Sequence, residues 1–446
     1  MQLGRRGEAL TIGAGLAAIV GLNALLGWVG GEPARRLASA LGVAFLLGGA
    51  LLLSRDRRAF PVRTVLVGLA LQIALALIVL RSPVGRPVFE TAGLLFKKLM
   101  DFSLAGASFV FGGLSGPTWS SGFIFAIQLF AIIVFMGTLS RVLYYLGIMQ
   151  LVVRAMAWVM RRLMRASGAE SLAAAANVFV GMVEAPLMAR PYVPGMTTSE
   201  LFCVMTAGMA TVAGSVMAFY ADMLKGTLGG YESAAAHLLT ASVMSAPAAV
   251  LVAKVMLPET GRPATLDSAA VPASEEGDSA PINVMDAAAR GALEGMNLAL
   301  SVVGMLVAFV ALVEMANALV SWATFGRLSF QTLLGYLCSP VAIGMGLPPS
   351  EAVRAGMLIG EKTVLNEAVA YRHLAELTEP LSARSALVMT YALCGFANFG
   401  SVAIMIAGVG GMAPNQRPNL ARLGLASIAS GSIAAFMTGC LVGALG

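Results

Sequence analysis

The chain has 446 residues, of which 58% are hydrophobic and 12% charged, and its mean hydropathy is +0.83. A soluble domain carries about 25% charged residues, so this composition excludes a soluble enzyme, a disordered chain and a fibrous protein. The net charge is +6, and the basic residues form short clusters between apolar segments. This distribution favours anchoring of cytoplasmic loops in a membrane protein over binding of nucleic acid.

Nine apolar segments are long enough to cross a bilayer as helices, for which about 20 residues are needed. They are 10–31, 38–54, 64–81, 122–146, 200–222, 236–257, 288–320, 383–409 and 419–445. The first segment follows two arginines, as a signal peptide would. It is long and lacks a clear cleavage site, so we interpret it as a retained helix. The arginine cluster of residues 55–63 indicates a cytoplasmic loop, and because two spans precede it, we expect a cytoplasmic N-terminus.

Three further segments have other patterns. Residues 147–168 place Arg154, Arg161 and Arg165 on one helical face opposite apolar residues, which predicts an amphipathic helix on the membrane surface. Residues 86–100 show a weaker version of this pattern. Residues 258–284 are rich in Pro, Ser, Ala and acidic residues and predict an exposed loop.

Two moderately apolar segments, 170–196 and 350–373, each hold one carboxylate near the middle, Glu184 and Glu367. Each segment is too short to cross the bilayer and return as two full spans. Both therefore predict helical hairpins that enter the membrane partway and return to the same side.

Each predicted hairpin is followed by an apolar span with small residues in its middle, 211–216 in the first case and 395–401 in the second. Such residues allow a helix to unwind, and unwound backbone inside a membrane needs a cavity, an ion or a ligand. The same residues could instead mark tight helix crossings. Because hairpin and interrupted helix occur together twice, we favour an internal inverted repeat with a transport site near the membrane midplane.

Ionisable groups inside a bilayer are costly and usually functional. Glu184 and Glu367 could accept hydrogen bonds from the hydroxyl groups of a polar solute. Alternatively, each could form a fixed salt bridge, Glu184 with Arg190 and Glu367 with Lys362.

Oxygen atoms near the first interruption suit a hard cation such as sodium. The predicted ligands are the side chains of Asn177 and Thr211 and the backbone carbonyls of Val180 and Val212. Considered singly, an Asn or Thr in a membrane helix more often contributes to packing.

Four segments together resemble the concentrative nucleoside transporter family, from about residue 38 to the C-terminus. They are FIFAIQLFAIIVFMGTLSRVLYYLGIMQ (123–150), AAAANVFVGMVEAPLMARPYVPGMTTSELF (173–202), GEKTVLNEAVAY (360–371) and ALCGFANFGSVAI (392–404). The resemblance implies a homotrimeric sodium- or proton-coupled nucleoside symporter in the bacterial inner membrane that works by an elevator type of alternating access. It further implies an all-α polytopic fold, with about nine transmembrane helices, two re-entrant hairpins and interfacial helices.

The resemblance also implies a division of the chain into regions. These are an additional N-terminal helix (1–37), a scaffold that forms the trimer (38–146 and 285–325), two transport halves (147–257 and 326–446) and the loop 258–284.

Residue roles follow from the same resemblance. The nucleobase would face Met182, Val183, Glu184 and Val216. The ribose hydroxyls would contact Glu367, Asn398 and Ser401, with Phe396 nearby. Sodium would bind Asn177, Val180, Thr211 and Val212, and no organic cofactor is expected.

Two motifs depart from the family pattern. The common hairpin sequence Gly-Gln-Thr-Glu is Gly181-Met182-Val183-Glu184 here, and the Phe of the usual Asn-Glu-Phe motif is Ala368. Apolar Met182 and Val183 thus replace two hydrogen-bonding side chains, and Ala368 leaves more space beside Glu367 than a Phe would. Since Met at this position accompanies purine preference among family members, we hypothesise a purine-leaning or broad transporter.

Three alternatives remain open from the sequence. A symporter of a nucleoside or a nucleoside-like solute could be coupled to protons through Glu184 or Glu367 instead of to sodium. An intramembrane enzyme could use the two carboxylates as a pair, although no His or Cys partner is evident. A channel would need a continuous polar stripe along several helices, whereas the sequence places isolated polar sites near the midplane.

Overall fold

The computed structural model describes residues 2–83, 85–115, 125–266 and 281–446, and every regular element in these ranges is helical. The α-helices of the first part of the chain are α1 (Gln2–Val29), α2 (Glu32–Leu52), α3 (Val62–Arg81), α4 (Gly85–Phe111), α5 (Phe125–Tyr145), α6 (Ile148–Met164), α7 (Gly168–Ala176), α8 (Glu184–Met188), α9 (Thr198–Ala210), α10 (Gly214–Leu224) and α11 (Tyr231–Met256). Those of the second part are α12 (Val284–Ala323), α13 (Phe330–Gly344), α14 (Pro349–Val364), α15 (Glu367–Glu376), α16 (Ala383–Leu393), α17 (Phe399–Met412) and α18 (Arg417–Leu445). Short 3-10 helices cover Gly112–Ser115, Val193–Gly195 and Pro414–Gln416.

The helices account for the nine predicted crossings. In the described ranges, six helices are long and apolar enough to cross a membrane alone, namely α1, α2, α3, α5, α11 and α18. The other three predicted crossings coincide with α12, which has 40 residues, and with the pairs α9–α10 and α16–α17. Residues 122–124 of the fourth predicted segment lie outside the described residues.

The order of elements occurs twice along the chain. Helices α5 to α11 comprise a long helix, a shorter helix, a hairpin pair, an interrupted pair and a long helix, and α12 to α18 repeat this order. If each hairpin returns to its own side, as its length predicts, each unit crosses the membrane three times. An odd number of crossings starts the second unit on the opposite side, which makes the repeat inverted.

The predicted interfacial and loop segments are only partly as expected. Helix α6 lies within 147–168 and buries one face through Val153, Ala157, Met160 and Met164. The segment 86–100 lies within α4, which is longer than predicted and ends at Phe111. Residues 267–280 of the predicted loop lie outside the described residues. The described start of that loop is not fully exposed, because Thr265 is buried against the first turn of α7.

Two long helices form the centre of the molecule. Helices α11 and α18 are largely buried and pack against each other, whereas α1 is mostly exposed. Helix α2 packs along α18, and α3 packs along α11.

Helices α5 and α12 cross closely through glycines. A Cβ atom on Gly291 would lie 2.7 Å from the carbonyl oxygen of Gly137, and one on Gly295 would lie 2.8 Å from that of Ile133. Small residues four apart allow this approach in a membrane. Arg141 on α5 adds an ion pair with Glu294 on α12, with Nε 2.7 Å from Oε2.

Candidate functional site

Both predicted hairpins are present, and each carries its acidic residue at the start of the returning helix. In the first hairpin, α7 ends at Ala176, and α8 begins at Glu184. In the second hairpin, α15 begins at Glu367, and the preceding Asn366 caps it by accepting a hydrogen bond from the Val369 N–H group at 3.0 Å. An Asn cap satisfies one of the free N–H groups of a helix start.

Both predicted interruptions are also present. Helix α9 ends at Ala210, three residues follow, and α10 begins at Gly214. Helix α16 ends at Leu393, and α17 begins at Phe399 after the cap residue Asn398. The first interruption, 211–213, is thus shorter than the predicted 211–216. The second, 394–398, begins and ends earlier than the predicted 395–401.

The two interruptions lie directly against each other. The backbone N–H group of Phe396 donates a hydrogen bond to the Thr211 carbonyl at 3.3 Å. A Cβ atom on Gly395 would lie 2.6 Å from the Met209 carbonyl oxygen, so only glycine permits this approach without displacement. Each interruption therefore satisfies part of the free backbone of the other.

The first hairpin packs on both interrupted helices. The N–H group of Gly214 donates to the Phe179 carbonyl at 3.1 Å. A Cβ atom on Gly208 would lie 2.9 Å from the Cβ of Met182, which is buried, and one on Gly408 would lie 2.5 Å from Cγ1 of Val183. The hairpin turn is thereby fixed against α9 and α17.

The second hairpin reaches the same region through Glu367. The Tyr220 hydroxyl donates to Oε1 of this buried carboxylate at 2.6 Å, and Nδ2 of Asn398 donates to Oε2 at 3.2 Å. Oδ1 of Asn398 in turn accepts from the Ser401 N–H group at 2.8 Å. These contacts join α15, α10 and α17, so all four predicted pieces meet.

The predicted alternative of a salt bridge between Glu367 and Lys362 is not observed among the described residues. The Lys362 ammonium donates to the Ala392 carbonyl at 2.9 Å and lies 5.3 Å from the ring centroid of Phe436. Both Glu367 hydrogen bonds come from neutral donors, Tyr220 and Asn398. A carboxylate has about four lone-pair positions, so two remain for solute hydroxyls.

Glu184 differs from Glu367 in its surroundings. Its side chain is accessible to solvent, and its carboxylate folds over Gly181, where a Cβ atom would overlap it. The charged groups that interact with it are Glu294 and Arg141 on α12 and α5. Among the ion pairs of the described residues none joins Glu184 to Arg190, so the alternative pairing is not observed here.

The predicted cation ligands surround the first hairpin turn and the first interruption. Nδ2 of Asn177 donates to the Ala173 carbonyl at 3.0 Å, which leaves Oδ1 buried and without a hydrogen-bond partner among the described residues. The Thr211 hydroxyl donates to the Ala207 carbonyl at 2.9 Å, so its lone pairs remain available. The other two predicted ligands are backbone carbonyls. Val180 lies three residues after Asn177 in the first hairpin turn, and Val212 lies in the first interruption. An unpartnered buried oxygen normally requires explanation, and a bound cation provides one.

Helix ends make one part of the site favourable for a cation and another part favourable for acceptor groups. Asn177 and Thr211 follow the C-termini of α7 and α9, where the helix dipole is negative and favours a cation. Glu367 and Asn398 stand at the N-termini of α15 and α17, where positive dipole ends favour negative or acceptor groups. The arrangement can therefore hold a hard cation beside a solute that carries hydroxyl groups.

The remaining predicted residues are near these helix ends. Val216 and Ser401 are buried in the first turns of α10 and α17, and Phe396 is half-buried in the second interruption. Sequence analysis missed Tyr220, because an aromatic residue in an apolar span ordinarily packs in the core. The position of Tyr220 in the second turn of α10 is the only sequence signal that relates it to the interruption.

Comparisons with known proteins agree with this architecture. Residues 41–114 and 237–443 match the N- and C-terminal parts of the family described as Na+ dependent nucleoside transporter, and residues 126–227 match the domain described as nucleoside recognition. An uncharacterized transporter of Haemophilus influenzae is 42% identical over 91% of this chain and 97% of its own length. The nucleoside permease NupC of Helicobacter pylori is 36% identical over 91% of this chain and 97% of its own length.

Solved structures are similar as well. CNTnw in an inward-facing substrate-bound state has a TM-score of 0.84 and 40% identity, and the match covers 92% of this chain and 98% of that chain. A CNTnw double variant in an outward-facing state has a TM-score of 0.85. Because the family and these relatives are transporters, the enzyme alternative is excluded. The chain is a multi-pass membrane protein that belongs to the concentrative nucleoside transporter family.

Proposed function

We propose that this protein is a sodium-coupled nucleoside symporter of the bacterial inner membrane, with its N-terminus in the cytoplasm. The observation that carries the sodium assignment is the Asn177 Oδ1 atom, which is buried without a partner at the C-terminal end of α7. The description of the matching family as Na+ dependent supports this assignment. So does the similarity to the mouse sodium/nucleoside cotransporter 1, which is 35% identical over 97% of this chain.

The ribose would bind where Glu367, Asn398 and Ser401 converge, because the carboxylate retains acceptor capacity for a diol. The nucleobase would lie toward the first hairpin turn, near Met182, Val183, Glu184 and Val216, with Phe396 between the two regions. The N-terminal ends of α15 and α17 would thus face the sugar, and the cation would lie at the C-terminal ends of α7 and α9.

Transport would proceed by alternating access. CNTnw has been solved in inward-facing, outward-facing and intermediate states. In this protein the mobile unit would include the two transport halves, and it would move against α5 and α12. We further propose that three copies assemble as a homotrimer, which cross-linking of the purified protein in lipid would test.

Purine preference is the expected consequence of Met182 and Val183. These side chains offer dispersion contacts to a large base and cannot pair with the polar edge of a pyrimidine. Competition of adenosine, inosine, uridine and cytidine against the uptake of one labelled nucleoside measures the order. Stronger competition by cytidine than by the purines would contradict this part of the proposal.

The coupling ion is tested by uptake of labelled nucleosides into liposomes containing the purified protein. We expect an inward sodium gradient to drive accumulation, and a pH gradient alone to have little effect. Glu367→Gln removes the charge at the ribose site and should abolish uptake. Glu376→Gln is the matched control, because Glu376 is exposed and pairs with Arg372 on the same helix.

Accumulation that follows an imposed pH gradient and ignores sodium would contradict the sodium assignment. Such a result would favour a proton carrier, with Glu184 or Glu367 as the candidate group.

A further inference from the structure

Ser242, a fully buried residue in the middle of α11, connects the two sides of the proposed cation site. Its hydroxyl oxygen lies 3.2 Å from the Val178 carbonyl oxygen in the first hairpin turn and 3.5 Å from the Val212 carbonyl oxygen in the first interruption. Val178 directly follows the cation ligand Asn177, and Val212 is itself a proposed ligand. Neither the sequence pattern nor the family resemblance singles out Ser242.

A serine hydroxyl has one proton and can donate it fully to only one carbonyl at a time. The Val178 carbonyl is the nearer acceptor, and the Val212 carbonyl lies at the outer limit of a hydrogen bond. The Val212 carbonyl has a second lone pair, so it can bind a cation while the hydroxyl turns toward Val178.

Helix α11, which carries this hydroxyl, is attached to two neighbouring helices. Twelve residues further along α11, Lys254 forms a buried ion pair with Glu170 on α7, with Nζ 2.8 Å from Oε2. The same ammonium group lies 3.0 Å from the Ser199 hydroxyl in the first turn of α9. Through Lys254, the helix that carries Ser242 is attached to both α7 and α9, the two helices whose C-terminal ends form the proposed cation site.

We propose that Ser242 is a positioning residue for the coupling cation. Its hydroxyl donates to the Val178 carbonyl and lies against the Val212 carbonyl, so it fixes the positions of both oxygens and leaves the Val212 oxygen free to bind the cation. This inference rests on the proposed sodium coupling, and it adds a contribution of α11 to a site otherwise built from α7 and α9.

The test compares Ser242→Ala with Ser245→Ala in sodium-driven uptake by the full chain in liposomes. Ser245 is the matched control, since it is buried one turn further along α11 and its hydroxyl has no hydrogen-bond partner. We expect Ser242→Ala to raise the half-saturating sodium concentration about three- to tenfold, the effect of one lost hydrogen bond. Maximal uptake at saturating sodium should stay within about twofold of the wild type, because the carbonyls themselves remain.

Ser242→Cys keeps a side chain of the same shape that is slightly larger and a weaker donor, and it should shift the sodium dependence in the same direction. It serves as the second variant if the alanine substitution reduces the amount of folded protein. Equal half-saturating sodium for the wild type, Ser242→Ala and Ser242→Cys would overturn the inference. So would a loss of maximal uptake with no change in sodium dependence. If wild-type uptake ignored sodium altogether, the proposed coupling would fail first, and the two failures are therefore distinguishable.

Discussion

At the scale of single residues, Glu367 has the most informative surroundings. This carboxylate is buried, yet its two hydrogen bonds come from the neutral groups of Tyr220 and Asn398. A purely structural buried carboxylate would be better stabilised by a direct ion pair. The arrangement therefore keeps acceptor capacity for a solute, and Tyr220 fixes its direction.

Tyr220→Phe removes the hydroxyl that orients Glu367 and should raise the nucleoside KM about fivefold or more, the effect of about 1 kcal/mol. The expected loss is smaller for 2′- or 3′-deoxynucleosides, because they make fewer contacts with the carboxylate. Labelled uptake at saturating sodium measures both values.

Tyr371→Phe is the matched control for this substitution. The Tyr371 ring lies 5.0 Å from that of Tyr220, but its hydroxyl donates to the Thr390 carbonyl at 2.8 Å and not to Glu367. Equal effects of the two substitutions on the ribose analogues would show that Tyr220 acts only through packing.

Asn177→Ala removes the unpartnered oxygen of the proposed cation site. We expect the half-saturating sodium concentration to rise about tenfold or more, since interactions with a charged group contribute about 1.5–3 kcal/mol. Maximal uptake should fall less than sodium affinity does. Ser171→Ala, at a buried hydroxyl on the same helix, is the control, and a matching effect there would argue against an ion ligand at Asn177.

The sequence predicted the polar side chains near the interruptions better than it predicted their partners. Glu367 and Asn398 stand out because charge and amide groups are rare in apolar segments. Tyr220 and Ser242 do not stand out, because both residue types pack routinely in membrane helices. The Lys362–Glu367 pairing looked plausible from a spacing of five residues, but the hairpin turns between them and directs the ammonium to Ala392.

At the scale of elements, contacts between glycines and backbone hold the interruptions together. Gly395 approaches the Met209 carbonyl, and the N–H group next to it, that of Phe396, donates to Thr211. Such contacts align two unwound segments without any long side chain.

Gly395→Ala places a Cβ atom against the backbone of α9 and should separate the two interruptions. Overpacking of this kind costs about 1–3 kcal/mol, so we expect uptake to fall about tenfold with reduced thermal stability. Gly411→Ala in α17 is the control, because a Cβ atom there meets nothing within 4 Å. Wild-type uptake by the Gly395→Ala variant would show that this close contact is not needed.

Element positions followed from the sequence because hydropathy and small residues act locally. The spans, the hairpins and the existence of both interruptions were predicted, whereas their exact ends were not. Helix α17 begins at Phe399 because Asn398 caps it, a contact that depends on where the chain emerges from the interruption. The length of α4 was underestimated, since its amphipathic part continues into an apolar part without a break.

At the scale of the whole molecule, the main prediction still to be tested is which helices move during transport and which belong to the fixed scaffold. The sequence-based division assigns α2 to the scaffold, but α2 packs along α18 of the second transport half. Arg384 on α16 also donates hydrogen bonds to the Arg35 carbonyl at 2.7 Å and to the Ser39 hydroxyl at 3.0 Å, both on α2. Sliding of α2 would break these half-buried contacts.

A cross-link between α2 and α18 tests whether the two helices move together. A Cβ atom on Gly42 would lie 2.8 Å from Sγ of Cys440, close enough for a disulfide in the Gly42→Cys variant. We expect uptake to survive oxidation, because α2 would move with α18. Loss of uptake on oxidation, restored by reduction, would instead assign α2 to the fixed scaffold.

We propose that one pocket holds a cation at the C-terminal ends of α7 and α9 and a nucleoside at the N-terminal ends of α15 and α17. The most direct test is the nucleoside Kd of the purified protein, measured by calorimetry with and without sodium at constant ionic strength. Coupling between two sites is reciprocal and typically amounts to about 1–3 kcal/mol, so we predict that sodium tightens nucleoside binding about tenfold and that Asn177→Ala abolishes this effect. A wild-type Kd that is the same with and without sodium would contradict the claim.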